Sequence, residues 1–160
     1  MIKKITLSIF ILLFFCFKNF SQTVLSNDKE EIQSWIPVSI TKEDVKTESW
    51  QKIQDGVEIF FKLSTCNGED VILLKFINHN ASAVSIEWNE AVFTNSSKWI
   101  RSKNITDKRL LKINVSTPVE GACSGENYPQ LVTKINDLVD IKNDFQSYGA
   151  TFFKVRFIKK

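Results

Sequence analysis

Side chains able to do chemistry are few in this sequence, and they are widely spaced. His79 is the only histidine and stands in Asn78-His79-Asn80. A nucleophilic triad needs a nucleophile, a histidine and an orienting acid in one place, and no Gly-x-Ser-x-Gly elbow is present to supply the first. A catalytic zinc ordinarily takes two or three histidines, so a single imidazole among asparagines reads as an exposed turn residue. Glycoside hydrolysis uses two carboxylates at a defined separation. Glu87 and Glu90 lie near one strand end, and Asp137, Asp140 and Asp144 punctuate a polar stretch, but a solvated face accounts for both groups. These residues predict a chain without catalysis, with a small secreted carboxylate-dependent hydrolase as the alternative.

Three cysteines are present, Cys16, Cys66 and Cys123. No Cys-x-x-Cys spacing or neighbouring histidine marks Cys66 or Cys123 as a metal or redox site, so a disulfide between them is the expectation in an oxidising compartment. They open two turns of similar form, Cys66-Asn67-Gly68-Glu69-Asp70 and Cys123-Ser124-Gly125-Glu126-Asn127. Joined, these turns would gather Glu69, Asp70 and Glu126, an oxygen-rich set suited to Ca²⁺. The plainer account is that Gly, Asn, Asp and Ser favour turns for local reasons. No cofactor is required by the sequence, and Ca²⁺ is the one metal candidate.

Of the four tryptophans, Trp88 has the phase of a core residue and Trp50 begins a strand. Trp99 lies in Ser96-Ser97-Lys98-Trp99-Ile100-Arg101, inside a polar stretch from Asn95 to Asp107 that reads as a surface loop. Loops concentrate function. An exposed indole stacks on a sugar ring or anchors a protein partner, and an arginine beside it adds bidentate recognition of a carboxylate. Trp99, Ile100 and Arg101 are therefore the candidate binding residues. Asn80, Asn95, Asn104 and Asn114 each begin an Asn-x-Ser/Thr sequon, as chance provides in an asparagine-rich chain.

Short strands must position these groups. Val57, Ile59, Phe61 and Leu63 alternate with Glu58, Phe60, Lys62 and Ser64, the period of a strand with one buried face. Asp55-Gly56 is a hairpin signal ahead of it. Val71 to Ile77 is apolar almost throughout, as in a central strand covered on both faces. Further strands are predicted near Val38 to Thr41, over Val84 to Trp88, at Val92 and Phe93, over Arg109 to Ser116 and over Thr151 to Ile158. Segment 131–142, following Pro129, reads as a strand plus loop with one short helix as the alternative. Six or seven short strands imply an all-β, single-domain β-sandwich.

The order Cys66, Trp88, Cys123 resembles the Cys, Trp, Cys order of immunoglobulin domains. That resemblance implies an immunoglobulin-like architecture. It departs from a true immunoglobulin domain at Cys66, which falls in a turn, and at Val119-Glu120-Gly121-Ala122, where no Asp-x-Tyr-x-Cys corner precedes Cys123.

The first 21 residues stand apart. They contain Lys3 and Lys4, an apolar run from Ile5 to Phe17, and a polar end at Lys18 to Gln22. This is the layout of a secretory signal peptide, and its ending resembles those of AT-rich Gram-negative bacteria. The run is shorter than the roughly 20 residues that span a bilayer. Cleavage is expected after Ser21, leaving residues 22–160 as one domain. Lipid attachment at Cys16 is disfavoured because Phe15 stands where that peptidase wants a small residue. The first 21 residues carry three lysines and no acid, so the remainder has 18 Lys plus Arg against 18 Asp plus Glu. Balanced charge gives no support for a nucleic-acid partner. The sequence thus predicts a secreted or periplasmic monomer without a membrane span, a non-catalytic binding or structural module for a protein or glycan at the cell envelope or outside the cell. A carbohydrate-binding module is the nearest alternative.

Overall fold

The computed structural model describes residues 34–103, 108–124, 128–139 and 144–159, all within one compact unit, Ile32–Lys160. Residues 1–33, which include Cys16 and the segment read as a signal peptide, and Asn104, Glu126 and Asp140 lie outside the described residues. In chain order the strands begin with β1 (Ile36–Pro37), β2 (Ser39–Ile40), β3 (Ile53–Gln54), β4 (Val57–Cys66), β5 (Glu69–Asn78) and β6 (Val84–Thr94). There follow β7 (Trp99–Arg101), β8 (Arg109–Ile113), β9 (Val119–Glu120), β10 (Val132–Lys134), the one-turn helix α1 (Ile135–Leu138) and β11 (Phe145–Phe157).

Turn chemistry joins the first long strands. Asp55 (φ 49°) and Gly56 (φ 71°) link β3 to β4, and Asn67 (φ 54°) and Gly68 (φ 80°) link β4 to β5. Two successive residues with positive φ make the turn whose twist matches a right-handed hairpin. The fold is mainly β, in two sheets. The first joins β1, β4, β5 and β10 in that order, with β3 on β4 and β9 on β5; the second joins β2, β11, β6 and β7, with β8 also on β6. β2 runs parallel to β11, while β6 and β11 are antiparallel over most of their length.

Inward side chains of both sheets form one core. Ile59, Phe61, Leu74 and Phe76 of the first meet Ile86, Trp88, Leu111 and Tyr148 of the second. On the other face of β5, Val71 and Leu73 are also buried, packed with Cys66, Trp35 and Val132. The apolar run of β5 is thus covered on both faces, as its composition implies.

Three sequence expectations are revised, and a fourth is met by both of its alternatives. The polar stretch after Asn95 holds the strand β7, which pairs with β6 through Phe93↔Trp99 and Ala91↔Arg101; three residues are too few for alternation to register. The two segments expected at Val84 to Trp88 and at Val92 form one strand, since the polar interruption at Asn89-Glu90 is satisfied by partners from elsewhere in the chain. β11 begins at Phe145, well before Thr151, because β6 supplies a partner for a segment whose Gly149 and Ala150 are weak strand formers on their own. Segment 131–142 contains a strand and a helical turn in succession, β10 and α1.

One network of buried polar groups links the two sheets. Glu90 Oε1 accepts hydrogen bonds from Thr133 Oγ1 at 2.7 Å and from Tyr148 OH at 3.1 Å, while Arg109 Nη2 donates to Glu90 Oε2 at 3.2 Å and to Thr133 Oγ1 at 3.1 Å. Trp88 Nε1 donates to Tyr148 OH at 3.1 Å. Burial, with the nearby Glu90 charge, holds the Tyr148 hydroxyl well above its ordinary value of 10.0, so it stays protonated as the donor that Glu90 needs.

Candidate functional site

Alternation along β6, β7 and β11 sends one set of side chains to the core and the other to the opposite, outer face. Ile100 pairs with Val92 and packs against the core. Trp99 and Arg101, on either side of it, face outward. Trp99 lies beside Phe93, with ring centroids 5.2 Å apart, and stacks on Trp50 at 4.3 Å with an interplanar angle of 20°. Both indoles are half-buried.

Two features hold this pair. Gly149 of β11 lies against the ring edges: a Cβ there would meet Trp99 Cζ3 at 2.5 Å and Trp50 Cζ3 at 3.2 Å. The loop carrying Trp50 is anchored at Arg101, whose Nε donates to Asp44 Oδ1 at 2.7 Å and whose Nη2 donates to Asp44 Oδ2. This bidentate hydrogen bonding holds the Asp44 carboxyl below its usual range. The guanidinium also lies over the Phe152 ring, 5.5 Å from its centroid. Phe152 reaches the outer face because the β6–β11 register slips between Thr151 and Lys154 and Phe152 takes φ 49°, leaving it as the extra residue of a bulge. The same Trp50 supports itself by donating Nε1 to the Thr47 carbonyl at 2.9 Å.

Gly149→Ala is therefore expected to displace the Trp50–Trp99 stack. Stability should fall by about 1–3 kcal/mol, the usual result of forcing a methyl into filled space. Urea denaturation measures the loss, and a changed tryptophan emission spectrum of the folded protein reports the broken stack.

The remaining candidates are dispersed. Glu87 faces outward and binds Lys108 Nζ at 2.9 Å, whereas Glu90 is turned into the core. These two carboxylates are on opposite faces of β6 and do not line a common cleft. His79 Nε2 is 3.1 Å from Glu58 Oε2 at an exposed position. Cys66 and Cys123 are bonded, with Cα atoms 5.2 Å apart. Near that bond Glu69 pairs with Lys134 Nζ at 2.6 Å, and Asp70 Oδ1 accepts from Thr65 Oγ1 at 3.4 Å. Among the described residues no three His, Cys, Asp or Glu side chains come together to hold a metal. Also among them, no helix is long and apolar enough to cross a membrane.

Sequence reasoning missed Trp50, Phe93, Gly149 and Asp44 as neighbours of Trp99. Its position at a strand start makes Trp50 read as a structural tryptophan, and no local pattern links it to Trp99. No family model, curated protein or solved structure matches this chain.

Proposed function

We propose that this chain is an exported, non-catalytic binding module of immunoglobulin-like sandwich architecture. It acts as a monomer in the periplasm or outside the cell, needs no cofactor, and takes its glycan or protein partner on the outer face of the five-stranded sheet at Trp99. The observation that carries this reading is the outward, half-exposed Trp50–Trp99 pair, fixed by Gly149 and by the Arg101–Asp44 ion pair. Stacked indoles offer a large rigid contact area at little entropy loss. The opposed directions of Glu87 and Glu90 favour binding over carboxylate-dependent hydrolysis.

Trp99→Ala tests it, with binding read on a glycan array and against a purified cell-envelope fraction. Loss of the ring pairing, together with the area that a half-buried indole buries, should lower stability by about 2 kcal/mol. Binding is expected to weaken at least tenfold, the equivalent of about 1.4 kcal/mol. A variant that binds as the parent does, or whose main defect is a stability loss of several kcal/mol, would return Trp99 to a packing role.

A further inference from the structure

Away from Trp99, toward the other end of the same sheet, the outer face changes character. Across β8, β6 and β11, Lys112, Ser85 and Arg156 form one row of side chains, and Leu110, Glu87 and Lys154 form the next. Lys108 reaches into the second row to bond Glu87. Lys108, Lys112, Lys154 and Arg156 are all exposed. Against these four cations β6, β8 and β11 place one acid on this face, because Glu90 turns inward and β8 and β11 contain no Asp or Glu.

Glu87 is already engaged by Lys108 at 2.9 Å and by Arg156 at 3.6 Å. The hydrogen bond from Lys108, opposed by partial burial and aided by the charges of Arg156 and Lys154, holds its carboxyl below the usual range. Among the described residues Lys112 and Lys154 form no salt bridge, and Lys154 acts on Glu87 through its charge alone. A chain whose charge is balanced over residues 22–160 therefore concentrates an excess of positive charge on one flat face. Mutual repulsion disfavours that arrangement in the free protein, and an anionic ligand reverses the effect.

We propose that this face binds a linear acidic polysaccharide. Its carboxylate or sulfate groups lie on Lys112, Lys154 and Arg156, and the apolar faces of its sugar rings lie on Leu110 and toward the Trp50–Trp99 pair. The proposal rests on the outer face being the binding surface, as above, and names the ligand class. Leu110 is 57% exposed within the cationic patch, which suits a sugar ring with a C–H face and a charged substituent. Strands about 4.8 Å apart and same-face residues about 7 Å apart along each strand spread the cations thinly. Cations at that spacing, with an exposed apolar side chain among them, suit a polymer that carries one charge and one C–H face per ring. A lipid surface would call for several projecting apolar groups, and Leu110 is the one exposed large apolar side chain that these strands place on this face.

Affinity electrophoresis of the purified chain distinguishes the cases, with polygalacturonate and chondroitin sulfate as acidic polymers, dextran as the neutral one, and a DNA duplex as control. Phosphatidylglycerol vesicles are tested by co-sedimentation. Retardation by an acidic polymer but not by dextran is expected. Lys112→Glu/Lys154→Glu should weaken it about tenfold or more, and Lys112→Gln/Lys154→Gln, which places no second carboxylate opposite Glu87, should weaken it with a nearly unchanged urea midpoint. Absence of retardation by both acidic polymers overturns the proposal, as does equal or tighter binding to DNA or vesicles. Binding of dextran that is lost in Trp99→Ala but indifferent to the lysine reversals overturns the acidic ligand while leaving the aromatic binding face in place.

Discussion

Replacing Cys66 and Cys123 together by alanine is expected to lower the free energy of unfolding by about 4 kcal/mol, the chain-entropy figure for a closed loop of this size. The sequence separation is 57 residues, and cross-linking chiefly restricts the unfolded chain. The bond ties the end of β4 to the turn after β9, and β9 is only two residues long, pairing with β5 through Glu120 and Val119. Opening the bond leaves that segment held by a short edge pairing. Cys66 is nearly buried against Val71 and Leu73, so alanine avoids placing a hydroxyl there. Equilibrium denaturation in urea, with and without reductant, measures the effect. The parent protein under reducing conditions should approach the double variant. A loss below about 1 kcal/mol, or free thiols in the oxidised native protein, would contradict the pairing.

Glu90→Ala should cost about 3 kcal/mol, near the lower end for breaking a buried ion pair. The carboxylate is the common acceptor for Thr133, Tyr148 and Arg109. Removing it leaves the buried Tyr148 hydroxyl without its acceptor, at a typical penalty of about 1–3 kcal/mol, and leaves a guanidinium facing a void. Glu90→Gln keeps the volume but turns donors toward donors, so an intermediate loss is expected. Tyr148→Phe removes one of the donors and should partly relieve Glu90→Ala in the double variant, a non-additivity that a double-mutant cycle resolves. Since whole domains are stable by only about 5–15 kcal/mol, either change is readily seen as a shifted urea midpoint. Additive effects of Glu90→Ala and Tyr148→Phe would show that the two do not act as one network. Thr133 belongs to the first sheet and Glu90 to the second, so these bonds also fix how the two sheets meet.

The candidate site was half legible. Trp99 and Arg101 stand out in sequence because large groups among polar neighbours call for an explanation, and the structure does place both on an outer face. Their true neighbours were not legible. Asp44 meets Arg101 across 57 residues, and Trp50 meets Trp99 only because β7 pairs with β6 and the β2–β3 loop crosses β11 at Gly149. Ile100, grouped with them by adjacency, faces the other way, since successive strand residues alternate.

By itself the sequence determined what depends on neighbours a few residues away. Asp55-Gly56 and Asn67-Gly68 specify their hairpins because few residues accept positive φ at both central positions. Alternation over Val57 to Leu63 specifies which face of β4 is buried, and the unbroken run Val71 to Ile77 marks the strand covered on both sides. Two cysteines in residues 22–160, Cys66 and Cys123, leave one pairing. The tertiary structure alone decided which strands share a sheet, the parallel contact of β2 with β11, the β11 bulge that turns Phe152 outward, and the inward carboxylate of Glu90. Strand pairing is a contest among partners distant in sequence, decided by burial and hydrogen bonding summed over the whole chain. A buried acid is tolerable only once all its partners have arrived. No local window contains that information, and the aromatic and cationic ends of the outer face are assembled by the same long-range pairing.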